Sequence, residues 1–217
     1  MLHLISEADF QKQERFYRAN LLNSLSGFKS VSLISTVNAS GQTNLGVFSS
    51  IIHLGSDPAL IGYINRPRAA APHTLANIEA TGWYTINHIH PGMLQQAHNC
   101  SAKWPEHISE YEACGLTPTY QEGIPAPFVA ESRISYALEL AEVVPIKWND
   151  TFLVIGAVKC MRIHNAAEVL GEDGFLHLHK AESMASLGLD GYFETTLCSR
   201  LPYARPTPLH TDDQHKG

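Results

Sequence analysis

Val31-Ser32-Leu33-Ile34-Ser35-Thr36-Val37-Asn38-Ala39-Ser40-Gly41-Gln42-Thr43-Asn44-Leu45-Gly46-Val47-Phe48-Ser49-Ser50 is the stretch whose reading decides the fold. Its first seven residues are β-branched or apolar at nearly every other place. Asn38-Ala39-Ser40-Gly41 then supplies turn chemistry, and a second strand-like run extends from Thr43 to Leu54, so the stretch reads as a β-hairpin. Gly46 interrupts the second run. A glycine inside a strand marks either a bulge or a place where another group approaches the backbone closely, and both readings stand at this point. Ser49 and Ser50 carry small hydroxyl side chains that suit a surface on which a flat ring lies, or a plain bulge with outward polar residues.

Further along, Pro58 opens a third strand, Ala59 to Ile64, and Asn65-Arg66-Pro67-Arg68 leads into a small-residue loop ending at Pro72-His73-Thr74. Thr74 reads as the N-cap of a short helix, Leu75 to Ala80, with Gly82 as its C′ residue. A helix N-terminus presents unpaired N–H groups and partial positive charge, so a phosphate can sit there. Arg66 and His73 add positive potential, whereas Arg68 reads as a solvated loop charge. Trp83 to Ile89 forms a fourth strand.

The flanking segments fit around this unit. Ser6 to Asp9 resembles a helix start, and Phe10, Tyr17, Leu21 and Leu25 follow at helical spacing, which predicts an amphipathic helix of about four turns packing on the barrel or on a second subunit. Pro91 to Cys100 and Ser109 to Cys114, the latter ended by Gly115, read as short helices. The connection between them, with Lys103, Trp104 and His107, has the polar, aromatic character of a segment that covers a site. Pro118, Pro125 and Pro127 keep the next section extended, and strands return at Ser135 to Val143 and Thr151 to Ile163. Gly171 to Gly174 reads as a turn, Glu182 to Leu187 as a helical turn, and 206–217 as a polar, disordered tail behind a single domain spanning 1–205.

Composition excludes several function classes. With 217 residues, 44% of them hydrophobic, the chain can build one large core. A formal charge of -6 and a pI near 6.0 leave no basic footprint for nucleic acid. No apolar run approaches the roughly 20 residues that span a bilayer, and no basic-then-apolar leader opens the chain, so a soluble, cytoplasmic protein without a membrane partner is expected. Cys100, Cys114, Cys160 and Cys198 lack the spacing of a zinc knuckle or disulfide scaffold and read as reduced thiols. His88/His90 and His177/His179 stand at i,i+2, one strand face each, but such pairs are more often ordinary histidines than a metal site, and none is assigned. A Cys100 nucleophile helped by His98 lacks any specified activating base, and no catalytic residue is assigned.

The order of elements and five motifs resemble the flavin reductase-like family, the FMN-binding split-barrel proteins that include the flavoredoxins. The motifs are Val31-Ser32-Leu33-Ile34-Ser35-Thr36, Asn44-Leu45-Gly46-Val47-Phe48-Ser49, His73-Thr74-Leu75-Ala76-Asn77-Ile78, Glu110-Tyr111-Glu112-Ala113-Cys114-Gly115-Leu116-Thr117 and Leu153-Val154-Ile155-Gly156-Ala157-Val158. The resemblance implies a mainly β fold with flanking helices, a six-stranded antiparallel split barrel working as a homodimer with FMN near the subunit interface. It implies that Asn44, Phe48, Ser49 and Ser50 face the isoalloxazine or ribityl chain, and that Arg66, His73, Thr74 and Asn77 hold the phosphate. The implied activity is NAD(P)H-dependent flavin reduction or flavoredoxin-like electron transfer, with NADH or NADPH as donor; the alternative is a non-catalytic FMN carrier or redox sensor. The chain departs from the family at Pro72-His73, where many members carry Lys or Arg followed by Asp. It also has Ala157 where many have Glu, and it lacks the Gly-Asp-His triplet of the short, nicotinamide-binding flavin reductases.

Overall fold

Period-two alternation in this chain builds a sheet whose two edges are consecutive strands. The computed structural model describes residues 1–105 and 107–206. The chain begins with α1 (Glu7–Gln11), α2 (Arg15–Leu25), β1 (Lys29–Ser30), β2 (Ser32–Val37), β3 (Thr43–Phe48), β4 (Ile51–Ser56), β5 (Ala59–Asn65), α3 (Pro72–Thr81) and β6 (Trp83–His88). A 3₁₀ turn (Pro91–Met93) leads into α4 (Leu94–Asn99), α5 (Glu110–Cys114), β7 (Pro118–Gln121) and β8 (Ile124–Val129). The long strands β9 (Ile134–Ile146) and β10 (Thr151–Ile163) precede α6 (Ala166–Val169), β11 (Ala185–Leu187) and β12 (Gly191–Phe193).

The main sheet runs β3-β2-β6-β9-β10-β5-β4, antiparallel throughout. Its edge strands β3 and β4 are separated in the chain only by Ser49 and Ser50. A sheet with its first and last strands joined so tightly must curl until the edges meet at that end, while remaining open where they diverge. The result is a split barrel with flanking helices. The sheet has seven strands, where six were expected, because the single run read from Thr43 to Leu54 is broken at Ser49-Ser50 into two strands on opposite edges.

Alternation along β2 divides the core in two. Ile34 joins Tyr63, Leu75, Ile78, Tyr84, Ile86, Leu138 and Val154 inside the barrel. Leu33 joins Leu45, Ile89, Met93, Cys100, Tyr111 and Cys114 beneath α4 and α5. Every β2 residue is therefore buried, and full burial of such side chains is worth roughly 1.5–3 kcal/mol each. The interior is close-packed: a Cβ at Gly156 of β10 would overlap Tyr84 Oη and approach Leu138 Cβ to 2.9 Å.

Two local expectations are corrected. The N-terminal helix is two helices, α1 and α2, neither of which buries a residue. The capping box is present, with Ser6 Oγ accepting from Asp9 N and the Asp9 carboxylate from Ser6 N. Phe16, Tyr17 and Leu25 stay exposed, so the stripe does not pack on this chain's barrel. Glu182 to Leu187 is not a helical turn: β11 pairs with both β1 and β12 in a small sheet, a long-range pairing that outweighs local helix preference. The Pro-rich section is extended, as expected, and forms the two-stranded hairpin β7-β8. The tail expected from residue 206 lies, beyond Pro206, outside the described residues. No helix among the described residues is long and apolar enough to cross a membrane.

Candidate functional site

The outer edge of β3, the end of β5 and the first turn of α3 enclose a cleft of about 480 Å³. Alternate peptide groups of an edge strand point away from its only neighbour. On β3 these belong to Leu45 and Val47, and the Leu45 N–H is taken by Glu110 Oε2 at 2.9 Å. Gly46 sits in an unbroken β2-β3 register, so it marks no bulge; its missing Cβ leaves room for the Phe48 ring, whose Cε2 would lie 3.1 Å from that atom. The close-approach reading of Gly46 is the one the fold uses.

Helix α3 begins at Pro72, two residues before the expected Thr74 N-cap, with Ala71 as N-cap and Gly82 at φ 76 closing the helix. Proline is favoured at the first helical position because its missing N–H would be unpaired there anyway. The shift moves Thr74 into the first turn, where its hydroxyl accepts from Asn44 Nδ2 at 3.1 Å. Among the described residues, the N–H groups of His73 and Thr74 have no partner, and they lie on the cleft wall. Arg66 follows β5, exposed and without an ion-pair partner among the described residues; buried Asn65 fixes its backbone by donating to Arg66 O at 2.8 Å. Arg68 is occupied elsewhere. It forms a bidentate pair with Glu79 at 2.6 and 2.7 Å and lies over the Phe152 ring, which agrees with its reading as a loop charge.

The segment between α4 and α5 forms the opposite wall through Cys100, Ser101, Ala102, Lys103 and Trp104. Trp104 is held by its indole N–H donating to Asn99 O at 3.1 Å. Glu110 is half-buried, and desolvation raises its carboxyl above the usual range, against the lowering effects of backbone hydrogen bonds and of nearby His73. A carboxylate in this place repels an anion and serves to hold β3.

Of the residues named from sequence, Asn44, Phe48, Ser49, Ser50, Arg66, His73 and Thr74 all line this cleft. Asn77 does not; it borders a small adjoining pocket, and its amide donates to Thr36 Oγ1 at 3.0 Å, anchoring α3 on β2. Glu110, Lys103 and Asn23, which also line the cleft, and Asn65 behind Arg66 were given no site role from sequence; of these Lys103 had a local signal, its place in the covering segment.

The rival centres take other partners. His98 Nδ1 meets Tyr192 Oη at 2.9 Å, and burial pushes the Cys100 thiol up, opposite to what a nucleophile needs. His88 Nδ1 meets Ser183 Oγ at 3.0 Å, and His90 Nε2 meets Glu131 O at 3.0 Å. Among the described residues no group of three or more His, Cys, Asp or Glu side chains is placed to hold a metal ion.

Residues 27–179 match the family described as flavin reductase like domain. A candidate flavin reductase with split barrel domain from Shewanella frigidimarina NCIMB 400 is 42% identical, with a TM-score of 0.89 over 93% of this chain and 100% of that one. Nitrilotriacetate monooxygenase component B from Bacillus cereus has a TM-score of 0.80 at 21% identity, covering 93% of this chain and 99% of its own. Flavoredoxin of Desulfovibrio vulgaris (Miyazaki F) has a TM-score of 0.69 at 20% identity, covering 82% and 91%. At the two lower identities the likeness speaks for the fold.

Proposed function

Because the chain belongs to the flavin reductase like domain family it is a flavin-related oxidoreductase, and we propose that its cleft binds FMN, which takes hydride from NADH or NADPH. One observation carries this reading. A helix N-terminus with two N–H groups, and Arg66, none of them with a partner among the described residues, converge with an open strand edge on one cleft of about 480 Å³. The donor set fits the cofactor: cationic and N–H-rich at one end for a phosphate, flat and peptide-lined along β3 for a ring.

Bound flavin supplies the hydride-accepting chemistry. The chain's own part is to bind, orient and shield. His73 and Thr74 N–H groups and the Arg66 guanidinium hold the phosphate. Asn44, itself fixed by Thr74, sets the ribityl end with Ser49 and Ser50. The β3 edge and Phe48 support the ring, while Trp104 and Lys103 close the opposite side. Asn77 contributes by keeping α3 in place. No side chain is assigned an acid or base role, since a bound flavin would itself accept hydride.

The reading includes a homodimer, supported by the uncovered Phe16, Tyr17 and Leu25 of α2, which a second copy would bury. Anaerobic addition of NADH or NADPH to FMN-loaded protein tests the whole. Bleaching of the flavin absorbance is expected; FMN that is taken up yet stays oxidised would make the protein a flavin carrier instead.

A further inference from the structure

We propose that Glu110 is a specificity-determining residue of the cleft: its negative charge opposes the flavin phosphate, lowers the preference for FMN over riboflavin and keeps the cleft open to phosphate-free flavin. The inference rests on the flavin site proposed above. Glu110 opens α5, and its Oε2 accepts the Leu45 N–H of the β3 edge at 2.9 Å. The preceding strand residue, Asn44, donates to Thr74 Oγ1 at 3.1 Å in the first turn of α3. Two adjacent residues of one strand thus hold the carboxylate near the proposed phosphate end. Glu110 and His73 border both the cleft and the small pocket beside it.

The hydrogen bond to Leu45 does not itself require a charge. A neutral oxygen satisfies such a group, just as the adjacent Thr43 hydroxyl is met by the Ser109 hydroxyl at 2.7 Å. Half-burying a carboxylate costs desolvation energy that an amide of the same shape largely avoids. Among the described residues Glu110 makes no ion pair to offset that cost. What the charge adds is repulsion of an anion at the start of α3. The titratable and charged groups around it are His73 on α3, Cys100 on the cleft wall, Cys114 one turn along α5, and the cations Lys103 and Arg66 of the cleft lining. Arg66 and Lys103 attract a phosphate, and Glu110 opposes them. Such repulsion acts over about 8 Å at physiological salt and shrinks as salt is added.

The test titrates the full-length parent, Glu110→Gln and Glu112→Gln with FMN and with riboflavin at pH 8, in low and in high salt. In Glu110→Gln an amide oxygen remains to accept from Leu45 N–H, so the strand edge stays held while the charge is gone. FMN should bind this variant about three- to tenfold more tightly than the parent, the scale of a like-charge repulsion in partly solvated protein. Riboflavin should bind both alike, and the gain for FMN should shrink in high salt. Glu112 is exposed two residues along the same helix and does not line the cleft; Glu112→Gln controls for net charge and should leave both affinities as in the parent. Unchanged FMN affinity in Glu110→Gln, or an equal change for both flavins, overturns the assignment and leaves FMN binding itself in place. A parent that takes up neither flavin overturns the assignment together with the function it rests on.

Discussion

Asn44 Nδ2 donates to Thr74 Oγ1 at 3.1 Å, joining the edge strand β3 to the first turn of α3 across the cleft. This bond sets the ring-supporting wall against the proposed phosphate end. Thr74→Val keeps the shape and removes the acceptor, leaving a part-buried amide unpaired. A stability loss of about 1 kcal/mol is expected, together with several-fold weaker FMN binding. Equilibrium denaturation and flavin-fluorescence titration measure the two effects.

Gly156 faces Tyr84 inside the barrel, and the Tyr84 hydroxyl is buried without a hydrogen-bond partner among the described residues. Gly156→Ala should therefore destabilise the fold by roughly 1–3 kcal/mol through overpacking. Tyr84→Phe, which removes both the obstructing atom and an unsatisfied hydroxyl, should be neutral or stabilising alone and should recover part of the Gly156→Ala loss. Thermal unfolding of the two single variants and the double variant tests the coupling.

What was legible in the sequence was local. The alternation of β2, the turn at Asn38 to Gly41 and the helix start near His73-Thr74 each rest on neighbouring residues, and seven of the named site residues share one cleft. The departures have non-local causes or hinge on a single residue. Ser49 and Ser50 resemble the middle of a strand because their role, joining opposite edges of a sheet, depends on barrel closure. Pro72 at the first helical position moved the start of α3. Glu110 reaches Leu45 from 65 positions away, and β11 pairs with β1 from the far end of the chain, so neither leaves a periodic trace.

His88 is half-buried, and desolvation lowers its pKa from 6.5 to about 4. Between these values the unfolded chain binds more protons than the folded one. Stability is therefore full above pH 6.5 and falls as pH drops towards 4, by at most about 3 kcal/mol from this residue. Urea denaturation at pH 7, 5.5 and 4.5 should show this loss in the parent and a shallower one in His88→Asn, which keeps a polar atom near Ser183.

Glu110 shifts the other way. Its carboxyl is raised, chiefly by desolvation, so protonation favours the folded chain and its contribution declines as pH rises through the raised value. Glu110→Gln, whose amide oxygen can still accept from Leu45 N–H, should fold as stably as the parent or slightly more so at pH 7. The parent should gain on the variant as pH falls from 7 towards 4.5, the ordinary value for the group. Melting temperatures across that range decide it.

The binding of FMN by its phosphate at the start of α3 is tested most directly by titrating the parent and Arg66→Ala with FMN and with riboflavin. Arg66 is exposed and its side chain makes no ion pair among the described residues, so its loss should leave the fold intact. A drop in FMN affinity of about tenfold or more, as befits a charge-assisted contact, with riboflavin affinity unchanged, is the expected result. Equal losses for both flavins, or a parent protein that takes up neither, would contradict it.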